Sequence, residues 1–220
     1  MRPLSPLETR VLGVLVEKAH TVPDSYPLSL NSLTLGCNQK TARDPVMAVA
    51  EGEVQAAADA LKSLSLAFES SGSRVTRYEH NMGRALALPS QSVALLAVLM
   101  LRGPQTTSEL RANSERLHRF ADLSAVEGFL EELGVRAEDK GGPLVMKLPR
   151  APGSREARWA QLLAGAIDTS SLPAASDGES FVAAAELATM KLRLSNAEAE
   201  IATLRSLVER LYAELGVTRT

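Results

Sequence analysis

A chain of 220 residues with a formal net charge of −2 has room for one large domain or two small ones and exerts no global attraction on nucleic acid. Near half of its residues are apolar and about a quarter are charged, which excludes a wholly disordered chain. The single Cys37 excludes an internal disulfide, and the longest apolar run, Val93 to Leu101, is far below the ~20 residues of a membrane span. With no apolar leader after a basic start, these features predict a cytoplasmic protein that makes no membrane contact.

The first predicted helix opens at Ser5-Pro6-Leu7-Glu8, a capping box with proline at the first helical position, and continues through Val11, Val14 and Leu15 at helical spacing. Ser29 is placed to cap a second helix with Leu30, Leu33, Thr34 and Cys37 on one face, ended by Asn38 and Gln39. A third spans about Glu51 to Leu66, with Val54, Ala57, Leu61 and Leu64 inward and Glu53, Gln55, Asp59 and Lys62 outward. The period then changes: residues 67–69, a turn at 70–73 and residues 74–78 read as a hairpin. Three helices and a hairpin predict a winged helix.

The same order recurs. Ser90 opens an apolar helix to Leu101, Thr107 or Ser108 begins a second through Leu110 and Leu117, and Ser124-x-x-Glu127 reads as a capping box for a third. A hairpin with strands at 144–148 and about 156–163 closes the unit. The two hairpins share a pattern, Gly72-Ser73-Arg74-x-x-Arg77-Tyr78 and Gly153-Ser154-Arg155-x-x-Arg158-Trp159, that suggests duplication.

Residues 166–178 lack periodicity and read as a flexible linker. Beyond them Leu187, Met190, Leu194, Ala197, Ile201, Leu204, Val208, Leu211 and Leu215 alternate spacings of three and four, the a/d seam of a coiled coil. The flanking g–e pairs Glu186 with Lys191, Arg193 with Glu198 and Glu200 with Arg205 are all opposite in sign, as a parallel homodimer requires. The fold class predicted is α+β, mostly α: winged-helix domains at 1–87 and 88–165, a linker at 166–178 and a coiled-coil helix at 179–216. An amphipathic helix folded onto its own domains stays open as the other reading of the tail.

Asn38-Gln39-Lys40-Thr41, Arg43-Asp44-Pro45-Val46-Met47, Glu53-Val54-Gln55, Arg74-Val75-Thr76-Arg77-Tyr78-Glu79 and Leu101-Arg102-Gly103-Pro104-Gln105-Thr106 with Glu109-Leu110-Arg111 carry a resemblance. Over roughly residues 4–165 the chain resembles the bacterial YceH-like family. The resemblance implies two winged-helix domains in one chain, and it implies no catalytic or binding residue.

The basic hairpins are the strongest functional signal, since winged helices contact DNA phosphates with the wing while a helix enters the major groove. Arg74, Arg77, Arg150, Arg155 and Arg158 are the candidate phosphate contacts, and Lys40 and Arg43 before the third helix are the candidates for base contacts. The third helices oppose base reading, because they present Glu51, Glu53, Asp59, Glu127, Glu131 and Glu132 outward. His20, His80 and His118 are isolated from any metal-ligand spacing, no phosphate-cradling glycine motif is present, and Cys37 lies on an inner face. The expectation is a non-enzymatic homodimer without metal or cofactor that binds duplex DNA. The other expectation is an adaptor that uses its tandem winged helices to bind another protein.

Overall fold

Helix α1 occupies Pro6–Thr21, and the expected capping box is present at its start: Glu8 N donates to Ser5 Oγ at 3.1 Å, and Ser5 N donates to the Glu8 carboxylate at 2.8 Å. The computed structural model describes residues 1–70, 75–150, 154 and 156–167, about half of them helical, with the strands in two small antiparallel sheets. Strand β1 (Leu28–Ser29) runs without a loop into α2 (Leu30–Cys37), so Ser29 both ends the strand and accepts from Ser32 N to cap the helix. Helix α3 (Glu51–Ser63) buries Val54, Ala57, Ala58 and Leu61. It stops short of the expected Leu66 because Ser65 takes a left-handed conformation, φ 59°, that turns the chain into β2 (Ala67–Ser70).

Strand β3 covers Arg77–His80 rather than the expected 74–78. It is the central strand and must pair on both sides; its partners, Ser70 on β2 and Ser29 on β1, both meet it at Arg77. The short α4 (Met82–Ala85) leads to α5 (Ser90–Arg102), β4 (Gln105–Thr106) and α6 (Thr107–Ser114), where Thr106 and Glu109 form a second capping box. Helix α7 (Leu123–Gly134) departs from expectation at its start: the cap is Asp122, which accepts from Ala125 N at 2.8 Å, and Ser124 lies inside the helix donating to the same carboxylate. A carboxylate is a stronger acceptor than a hydroxyl and also complements the positive end of the helix dipole. Strands β5 (Val145–Lys147) and β6 (Arg158–Gln161) are narrower than expected, with single backbone bonds from Leu148 to Arg158 and from Leu162 to Leu144 extending the pairing.

The repeated order extends to residue register. The sheets run β1-β3-β2 and β4-β6-β5. Ser29 faces Arg77 and Leu28 faces Tyr78 in the first; Thr106 faces Arg158 and Gln105 faces Trp159 in the second. Each cap residue is therefore opposite an arginine, and each buried aromatic follows that arginine. The buried residues form one continuous core across both halves. Helices α1 and α5 pack closely, and a Cβ on Gly13 would sit 3.0 Å from the Leu101 side chain. Backbone bonds from Leu4 N to Leu163 O and from Asp44 N to Leu101 O, both 2.8 Å, cross the same boundary. Among the described residues no helix is long and apolar enough to cross a membrane.

Candidate nucleic-acid interface

In the first half most cations are held by the fold itself. Arg43, expected at the surface, is buried: its guanidinium pairs with Glu17 at 2.6 Å and also donates to Gly36 O, Ala42 O and Gln39 Oε1. It cannot reach a base or a phosphate without leaving these partners, so it does not belong to the candidate interface. Burial works to raise the Glu17 carboxyl, and Arg43 together with Lys18 outweighs it, leaving the group below the ordinary carboxylate range. Arg10 is almost fully buried and makes no ion pair among the described residues, donating instead to Cys37 O at 3.1 Å and Pro45 O at 2.6 Å. Together these arginines pin the segment between α2 and α3 onto α1. Cys37 lies beside them in the core, its thiol pushed up to about 12 by burial against the opposing pull of Arg10 and Arg43.

The remaining first-half candidates divide. Arg77 is half-buried and donates to Pro27 O at 2.7 Å, which fixes the β1 approach, while Lys40 is exposed. Gln55, expected outward, is half-buried and accepts from the Tyr78 hydroxyl at 2.7 Å. Lys62 is clamped by Asp59 and Glu69. Arg74 lies outside the described residues.

In the second half most cations stay at the surface, whereas Arg136 is half-buried and donates to Leu86 O at 2.6 Å. Two adjoining grooves, of about 310 and 420 Å³, share Ser108 and Leu123 and so meet at the start of α7. Arg111 and Arg119 line one; Lys147 and Arg150 line the other. Arg111, Arg119 and Arg150 are exposed and make no ion pair among the described residues, Arg111 donating only to Ala121 O. Two of the carboxylates in these grooves are engaged: Glu127 pairs with Lys147 at 3.1 Å, and Glu156 accepts from the Ser108 hydroxyl. Arg158 is exposed on β6, 3.9 Å from Glu109. Arg155 and the seam residues Leu187, Met190, Leu194, Ile201, Leu204, Val208, Leu211 and Leu215 lie outside the described residues. No group of His, Cys, Asp and Glu among the described residues is arranged to hold a metal ion.

The family described as "Protein of unknown function, DUF480" matches residues 4–154. The chain is 60% identical over 219 residues to a UPF0502 protein of Leptothrix cholodnii, an alignment covering 98% of this chain and 97% of that one. It is 58% identical over 217 residues to a UPF0502 protein of Burkholderia pseudomallei, covering 99% and 91%. The chain belongs to the DUF480 family.

Within this DUF480 chain, the sequence pattern names the hairpin arginines and does not name Arg111 and Arg119. A signal for them was present. Arg111, Arg116, His118 and Arg119 cluster over the end of one predicted helix and the residues after it, in a segment where Glu115 is the sole acidic residue. Arg10 was legible in another way: it stands on the apolar stripe of the first helix between Leu7 and Val14, where a charged residue is buried only if the fold supplies acceptors.

Proposed function

We propose that this chain is a non-enzymatic, tandem winged-helix protein that binds duplex DNA, and that its second half makes the phosphate contacts. The order helix, strand, helix, helix, strand, strand, repeated with its sheet register, supports the winged-helix reading, as does the resemblance to the YceH-like family. The heptad pattern of residues 187–215 supports pairing of two copies within the same proposal.

The observation that carries the DNA reading is the set of exposed arginines that make no ion pair among the described residues, Arg111, Arg119 and Arg150, around the first residue of α7. A guanidinium with no protein carboxylate to satisfy it offers its planar fork to a phosphate oxygen pair. The outward carboxylates of α7 supply no donor to base acceptors, so binding depends on the backbone of the duplex more than on its sequence.

The measurement is the salt dependence of duplex binding. The logarithm of the affinity falls linearly with the logarithm of salt concentration, and each arginine replaced by alanine among Arg111, Arg119 and Arg150 reduces the slope by about 0.9. Replacing Arg77 leaves the slope unchanged, because its guanidinium is half-buried and turned to Pro27 O, whereas Arg111, which also donates to a carbonyl, is exposed. A chain that binds no duplex at low salt, or a triple variant with the parent slope, rejects the proposal.

A further inference from the structure

Helix α7 has two chemically different ends. Its first residue meets the arginine-lined grooves, whereas its last turn walls a larger groove, of about 1040 Å³, against β5 and β6. The lining is apolar, including Val135, Met146, Trp159 and Ile167, and Val135 is 81% exposed, more than any other large apolar side chain among the described residues. Glu131 and Glu132 stand exposed on the same wall without an ion pair among the described residues, since Lys147, the cation of this groove, is held by Glu127. The carbonyl end of the α7 dipole adds to the negative character. Trp159 is buried, and its indole N–H has no acceptor among the described residues.

An apolar floor with an acidic wall is the opposite of a phosphate site, so this groove is not an extension of the nucleic-acid face. Strand addition is also disfavoured, because Leu144 N donates to Leu133 O and so ties the start of β5 to the end of α7. What remains is filling by side chains. We infer that this groove docks a helical segment of a partner protein that carries an apolar stripe flanked by lysine or arginine. The stripe covers Val135 and Met146, and the flanking cations pair with Glu131 and Glu132.

The test uses the full-length chain and its one tryptophan, Trp159, as the reporter. Two synthetic helical peptides with the same leucine stripe, one flanked by lysine and one by glutamate, are titrated while tryptophan emission is followed. The lysine peptide shifts the emission saturably and binds at least ten-fold more tightly than the glutamate peptide. The double variant Glu131→Lys, Glu132→Lys inverts that preference. Val135→Glu weakens binding of the lysine peptide at least ten-fold, with circular dichroism and melting like the parent because the side chain is exposed. An absent saturable signal, equal affinity for the two peptides, or undiminished binding by Val135→Glu overturns the inference. Tighter binding of a synthetic peptide of residues 179–220 overturns it too, by giving the groove to the chain's own tail.

Discussion

The two halves place equivalent residues at equivalent points of their sheets, Ser29 with Arg77 and Thr106 with Arg158, yet the arginines around those sheets are used in different ways. In the first half Arg10 and Arg43 are buried among backbone carbonyls and Glu17, and Arg77 holds Pro27 O. In the second half Arg111, Arg119 and Arg150 stand exposed without carboxylate partners among the described residues. The residue type is the same, and the acceptors within reach differ. A guanidinium that the fold has desolvated and bonded is a strut, whereas one left in water keeps its charge for another molecule.

The largest effect that distinguishes them is on stability. Arg43→Ala leaves Glu17 without its guanidinium partner in a half-buried site and lowers the unfolding free energy by about 3–5 kcal/mol, the usual cost of breaking a buried pair from one side. Arg119→Ala stays within about 0.5 kcal/mol of the parent. Urea unfolding of the two variants checks this, and equal losses would erase the distinction between strut and surface cation.

Acid sharpens the same comparison. Burial, with a lesser contribution from His20, pushes the His80 imidazole from 6.5 down to about 4. The folded chain keeps this group neutral while the unfolded chain protonates it near 6.5. Between these values the unfolded chain binds a proton that the folded chain does not, so the group is neutral to stability above about pH 6.5 and destabilises progressively as pH falls toward 4, by on the order of 3 kcal/mol. In the second sheet the corresponding position is Gln161, which does not titrate. His80→Gln removes the slope between pH 6.5 and 4 in an unfolding series, and an unchanged slope would place the acid sensitivity elsewhere.

The smallest effect concerns the starts of α3 and α7. Asp122 caps α7, whereas Ala50 at the start of α3 has no side-chain acceptor, so that only the return bond from Ala50 N to Glu53 is made. Ala50→Ser completes the box and raises stability by about 0.5–1 kcal/mol. Ser124→Ala changes it by less than about 0.5 kcal/mol, since Asp122 and not Ser124 holds Ala125 N. Thermal melts of both variants check the pair.

The elements were legible wherever a local rule decided them. Ser5 with Glu8 and Ser29 before Leu30 announced their helices, because a cap acts over three residues. The start of α7 was misread because Ser124-x-x-Glu127 satisfies the same rule two residues too late; the choice between Ser124 and Asp122 depends on which acceptor meets the free amide, and spacing does not encode that. The third helix ran too far on paper because nothing in its apolar period marks Ser65 as left-handed. The site was half legible. Charge is written in the sequence, but whether Arg43 faces water or Glu17 is settled by a partner 26 residues away, and that the start of α7 joins Arg119 to Arg150 is a matter of tertiary packing.

The seam between α1 and α5 has a consequence for how such a chain can change over time. A cut after residue 87 strands Leu101 on one fragment and Gly13 on the other, and leaves the amides of Leu4 and Asp44 facing water. Neither fragment is a smaller edition of the protein. Two similar parts joined by a loop alone could be separated without loss; here each part supplies the cover of the other's inner face, so removing either exposes what remains.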